Sequence, residues 1–176
     1  MNLARAFVTV SGLTALSRVL GFVRDMLFAA ALGAGISADA FLVAFKLPNF
    51  FRHLFAEGAF NAAFIPMFAG RLEGEGKAEA KRLADETMAI LLLVLVVLVV
   101  VFEIAMPWVM LGLAPGFTDE PEKFALAIDL TRITFPYLLM ISLVALFGGM
   151  LNSTGRFAAY AAAPILLNLS LIATAL

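Results

Sequence analysis

The chain has 176 residues, 63% of them hydrophobic and 14% charged. Soluble domains carry roughly 25% charged residues, so this chain cannot cover a water-facing globule of its size and belongs in a bilayer. Twelve Lys and Arg against thirteen Asp and Glu leave a net charge of −1, and there is no Cys. No basic excess points to nucleic acid, and without thiols neither a disulfide framework nor a thiolate metal site can form. No metal and no cofactor are expected.

A membrane-crossing helix needs about 20 mostly apolar residues. Five such stretches follow one another, at residues 6–32, 38–68, 84–106, 126–151 and 157–176. The fifth is still apolar at Leu176, which reads as one incomplete N-terminal lobe of a larger helical membrane protein. With a cytoplasmic N-terminus, the inner segments hold Arg5, Arg71, Lys77, Lys81, Arg82 and Arg156, and the outer segments hold Lys123. That asymmetry favours the N-in orientation. Trp108 and Pro107, which follow the third span, suit the outer interface.

Ala29-Ala30-Ala31 resembles a signal cleavage site, but Arg18, Arg24 and Asp25 interrupt the preceding apolar run, so a signal peptide is rejected. Gly74-Glu75-Gly76-Lys77 is a faint echo of a phosphate loop. Ala78 stands where Ser or Thr is required and Arg71 where the first Gly is required, so no nucleotide site is expected.

Charges inside a bilayer cost about 2.5–3.5 kcal/mol each on insertion scales. The first span carries Arg18, Arg24 and Asp25, and the second carries Asp39, Lys46, Arg52 and Glu57. The third is uncharged from Thr87 to Phe102 and is read as free to face lipid on any side. Ser11, Thr14, Arg18, Gly21 and Asp25 recur at spacings of three and four, which puts them on one helix face, read as lining a wet cavity. Asp39, Lys46, Asn49, His53 and Glu57 repeat the pattern in the second span. Pro48 interrupts it, because a proline has no N–H for the Ala44 carbonyl, and a kink or unwound turn is expected there. Arginine suits phosphate, since its planar fork donates two parallel hydrogen bonds and stays charged. His53 is read as a packed or hydrogen-bonded side chain rather than a proton relay. Glu103, Asp129 and Arg132 are read as snorkelling groups and an i,i+3 pair near helix ends.

Ser17-Arg18-Val19-Leu20-Gly21-Phe22-Val23-Arg24-Asp25, Ala38-Asp39-Ala40-Phe41, Pro48-Asn49-Phe50-Phe51-Arg52, and Phe55-Ala56-Glu57-Gly58-Ala59 with Phe64-Ile65-Pro66 resemble, in order and spacing, the start of the MurJ (MviN) family of lipid II flippases. Phe135-Pro136-Tyr137, Asn152-Ser153 and Gly155-Arg156-Phe157 continue the resemblance. It implies an all-α polytopic bundle, a partial lobe of the MATE-like multidrug/oligosaccharidyl-lipid/polysaccharide exporter superfamily, in the bacterial cytoplasmic membrane. By that resemblance Arg18, Arg24, Asp39 and Arg52 match substrate-binding cavity positions, and Asp25, Asn49 and Glu57 match neighbouring cavity or gate positions. The implied activity is transport, not catalysis. The undecaprenyl-pyrophosphate-linked peptidoglycan precursor crosses from inner to outer leaflet by alternating access. The implied partners are lipid II, membrane lipids and the remaining part of the same chain. Alternatives are another exporter of the superfamily, for a different lipid-linked sugar or a drug or cation, and a scaffold in which the charges only fix helix register.

The N-in orientation predicts that cysteines introduced at Gly35 and at Gly74 label from opposite sides of the membrane; labelling from the same side contradicts it.

Overall fold

Water is absent from the hydrocarbon core, so a spanning segment outside a barrel must satisfy its own N–H and C=O groups as a helix. The computed structural model describes the backbone of residues 3–57 and 59–175 and the side chains of residues 7–55 and 60–175. Among these residues every regular element is helical: α1 (Leu3–Leu32), α2 (Ile36–Ala44), α3 (Lys46–Arg52), a π-helical turn (His53–Glu57), α4 (Ala59–Gly74), α5 (Lys77–Leu113), a 3-10 turn (Pro115–Phe117), α6 (Pro121–Thr134), α7 (Tyr137–Ser153) and α8 (Phe157–Ala175). By length and composition, three described helical runs can cross a membrane: α5, the run of α6 and α7 from Pro121 to Ser153, and α8. The chain divides into one unit of residues 1–33 with 147–176 and another of residues 34–146.

In the first unit α1 packs along α8. The ring of Tyr160 lies where a side chain at Gly148 would stand, so only glycine allows that approach. Between α7 and α8 the backbone turns at Gly155, whose φ of 75° is left-handed. Gly155 N–H donates to Asn152 O at 3.0 Å and Arg156 N–H to Leu151 O at 2.9 Å, which closes the end of α7.

In the second unit the stretch 38–68, continuous in apolar character, is cut into α2, α3, the π turn and α4. Ala40, Val43 and Ala44 are buried on α2, and Ala127, Ile128 and Thr131 on α6, the helix it packs against. Small side chains let the two backbones approach closely. Pro48, fully buried, leaves the Ala44 carbonyl without its helical donor, and the Thr134 hydroxyl lies 3.2 Å from that oxygen and 3.2 Å from Thr131 O. The same arrangement recurs in α5, where Pro107 deprives the Glu103 carbonyl and Arg132 Nε donates to it at 3.2 Å. Arg132 is therefore occupied by a backbone acceptor, and no Asp129–Arg132 ion pair forms among the described residues. Phe51, Phe102 and Phe135 pack with centroids 5.1–5.8 Å apart, joining α3, α5 and the α6–α7 junction.

The third apolar stretch does not face lipid on all sides. Ala80, Ala84, Leu91, Leu95, Val99, Met106 and Met110 form one buried seam at four- and seven-residue steps along α5, while Leu93, Val97, Val101 and Ile104 stay exposed. At its polar end, residues 71–82 are largely helical: α4 runs to Gly74 and α5 starts at Lys77. Lys81–Asp85 at 2.6 Å and Arg82–Glu86 at 2.9 Å are exposed i,i+4 pairs on α5.

If Thr134 satisfies the carbonyl that Pro48 leaves free, Thr134→Val should destabilise the complete protein by about 1 kcal/mol in thermal unfolding in detergent, and Thr134→Ser should not. In a Pro48→Ala background the valine penalty should shrink; an undiminished penalty contradicts the assignment.

Candidate functional site

Arg24 lies on the face of α1 that meets α8. Its Nε and Nη2 donate to Asp25 Oδ1 at 3.0 and 2.8 Å, and its Nη1 donates to Asn168 Oδ1 at 2.8 Å. Asn168, only 6% exposed, donates from Nδ2 to Ser17 O at 2.9 Å, with Ser17 Oγ at 3.4 Å. A guanidinium has five N–H donors, of which three are used here, so one on each Nη remains for a ligand. Gly21 sits on the same face: a Cβ there would stand 3.6 Å from Asn168 Nδ2. Gly21 therefore belongs to the helix contact, whereas Ser11, Thr14, Arg18 and Asp25 are exposed about 100° around α1. Arg18 makes no side-chain hydrogen bond or ion pair among the described residues.

In the second unit Asp39 stands in the first turn of α2, where the helix dipole favours a carboxylate. Its Oδ2 is 2.7 Å from Lys123 Nζ in the first turn of α6. Lys123, with a side chain 12% exposed, also lies 3.6 Å from Glu120 Oε1 and 4.5 Å from the Phe117 ring centre. Arg52, the last residue of α3, reaches Asn49 Oδ1 at 3.4 Å and His53 Nε2 at 3.4 Å. Arginine can only donate, so His53 Nε2 is an acceptor in that contact. Glu57 closes the π turn, and its side chain lies outside the described residues. π turns are often found at functional sites, where they displace side chains from helical register. Beside this turn, Leu54, Phe55, Phe60, Leu91 and Val94 line a groove of about 460 Å³ that offers no charge to an anion. At the Gly74-Glu75-Gly76-Lys77 segment the Gly76 N–H donates to Arg71 O at 3.1 Å, so it caps a helix rather than cradling phosphate.

Of the residues singled out in the sequence, Arg24 with Asp25 and Asn49 with Arg52 are in direct contact. Asp39 is held by a residue read only as an orientation marker. Asn168, Ser17 and Thr134 are not singled out in the sequence as site or packing residues, since each acts through a partner distant along the chain; the signal that could have found Asn168 is a lone amide in the apolar run of α8. Among the described residues no cluster of His, Cys, Asp or Glu could hold a metal.

These features define a polytopic helical membrane protein with buried polar contacts between its helices. The sequence profile described as "Lipid II flippase MurJ" matches residues 28–176. A probable lipid II flippase MurJ from Rhizobium tropici is 51% identical over 176 residues, covering 98% of this chain and 32% of that protein. The lipid II flippase MurJ of Burkholderia cenocepacia is 46% identical over 175 residues, covering 99% of this chain and 34% of that protein. The chain belongs to the MurJ lipid II flippase family, and it spans about a third of the length of the curated relatives it matches.

The Asp39–Lys123 pair predicts non-additivity: Asp39→Asn and Lys123→Gln should each lower the midpoint of thermal unfolding, and the double variant should fall no further than the worse single one. Fully additive losses contradict the pairing.

Proposed function

We propose that this chain is part of a lipid II flippase that carries the undecaprenyl-pyrophosphate-linked peptidoglycan precursor from the inner to the outer leaflet of the bacterial cytoplasmic membrane. The chain supplies five spans of one lobe with its N-terminus in the cytoplasm, and a second lobe completes the cavity. Arg18, Arg24 and Arg52 meet the pyrophosphate, the polyprenyl tail stays in lipid, and the lobes alternate in access. The precursor's sugar, peptide and pyrophosphate cannot cross hydrocarbon without a polar route, and charged groups on the first two spans provide one.

The observation that carries this reading is the Arg24 guanidinium, tied on two sides and left with two uncommitted N–H groups. A cation already fixed before the ligand arrives loses less entropy on binding, which favours a charge-assisted bond to phosphate. Two carboxylates of the first two spans are already engaged, Asp25 by Arg24 and Asp39 by Lys123. That engagement leaves Arg18 as a positive group suited to an anion. Asp39 then acts by shaping the start of α2, Asn49 acts as a polar neighbour of Arg52, and Glu57 serves as a cavity or gate position.

Losing a charge-assisted hydrogen bond costs about 1.5–3 kcal/mol, so reversing the charge should cut precursor binding at least about tenfold. In the complete protein, Arg18→Glu or Arg52→Glu should fail to support peptidoglycan synthesis in a depletion strain, while Val97→Ala on the exposed face of α5 should support it. Normal synthesis with either charge reversal overturns the reading.

A further inference from the structure

We propose that Asn168 is a positioning residue for Arg24, and that together with Gly21 it sets where the guanidinium stands to receive a pyrophosphate-class ligand. The inference rests on the flippase reading of Arg24 and adds a residue of α8 to that site.

The amide is oriented by its neighbours. A guanidinium can only donate, so the Asn168 oxygen must face Arg24; a backbone carbonyl can only accept, so the amide nitrogen must face Ser17 O. Both contacts are short, at 2.8 and 2.9 Å, and the side chain is almost fully buried, which leaves the amide one seat. Ser17 and Arg24 lie seven residues apart on one face of α1, about 10 Å along the axis. Helical side chains lean toward the N-terminus, so the Arg24 chain lies back over the preceding turn, where Gly21 leaves room for the amide. Asn168 thus ties the Arg24 side chain to the backbone of its own helix through a third group on α8.

A neutral amide suits this role better than a carboxylate. An aspartate would set an oxygen against the Ser17 carbonyl and would add a second negative charge beside a guanidinium already paired with Asp25. Asparagine fixes the direction of Arg24 without adding a negative charge that would repel an anionic ligand, and leaves one N–H on each Nη free. Asparagine hydrogen bonds between membrane helices also serve packing alone; what marks this one is that the arginine it holds keeps two spare donors.

The experiment measures binding of lipid II, and of undecaprenyl monophosphate as the comparison lipid, to the complete protein in nanodiscs, alongside thermal unfolding. Asn168→Ala and Arg24→Ala should each weaken lipid II binding about tenfold (about 1.4 kcal/mol), and the double variant should be no weaker than Arg24→Ala alone. Preference for lipid II over the monophosphate should fall in both. Gly21→Val, which pushes the amide from the α1 side, should reproduce Asn168→Ala. If Asn168→Ala does not fold, Gly21→Val carries the test. Wild-type lipid II affinity in a folded Asn168→Ala or Gly21→Val protein, or losses that add to that of Arg24→Ala, overturns the positioning role while leaving the flippase reading intact. Wild-type affinity in Arg24→Ala overturns both.

Discussion

A polar group inside hydrocarbon must find its partner within the protein, and this chain meets that constraint with side chains that come from helices distant in sequence. Two prolines, Pro48 and Pro107, each strip a backbone carbonyl of its helical donor. Both orphaned oxygens are met from α6, Ala44 O by Thr134 and Glu103 O by Arg132. One helix thereby makes two interrupted helices tolerable. The break at Pro48 in turn permits the short α3 and the π turn on which Asn49, Arg52 and His53 meet. Without the donors on α6 both carbonyls would stay unpaired, at a cost of about 1–3 kcal/mol each.

The same rule governs the charges. Arg24 is answered by Asp25 and Asn168, and Asp39 by Lys123. Each arrangement costs conformational freedom when the chain folds, so the side chains stand ready before any ligand arrives. On the proposed reading, in which an anionic lipid is carried, this is useful, because a wandering arginine would spend binding energy on being fixed. The partners are matched to what must remain free: an amide and one carboxylate oxygen steady Arg24 without consuming all of its donors.

Much of this architecture is legible in the sequence because it depends on local pattern. The apolar runs, the interruption at Pro48 and the polar stripe of α1 all follow from composition and a period of 3.6 residues. What escapes is set by long-range contact. Asn168, the one amide in the apolar run of α8, is visible in the sequence as a polar group that needs a partner, but Arg24, 144 residues away, is not visible as that partner. Gly21 shares the spacing of the polar stripe, yet it belongs to the adjoining packing face, since steps of three and four smear a stripe across neighbouring directions. The buried seam of α5 is invisible because Leu and Val cover the inward and outward sides alike. The charged residues from 71 to 82 lie between two apolar stretches of the sequence, yet Ala, Glu, Lys and Arg favour helix, and i,i+4 pairs continue α5 beyond the apolar run.

On the proposed reading a pre-fixed Arg24 receives the pyrophosphate of a lipid-linked precursor. The most direct test of that reading is a cryo-electron microscopy structure of the complete protein with lipid II bound. The account predicts the pyrophosphate within hydrogen-bond distance of Arg24, with Asn168 still holding Nη1. A pyrophosphate seated elsewhere, with Arg24 bound only to Asp25 and Asn168, would contradict it.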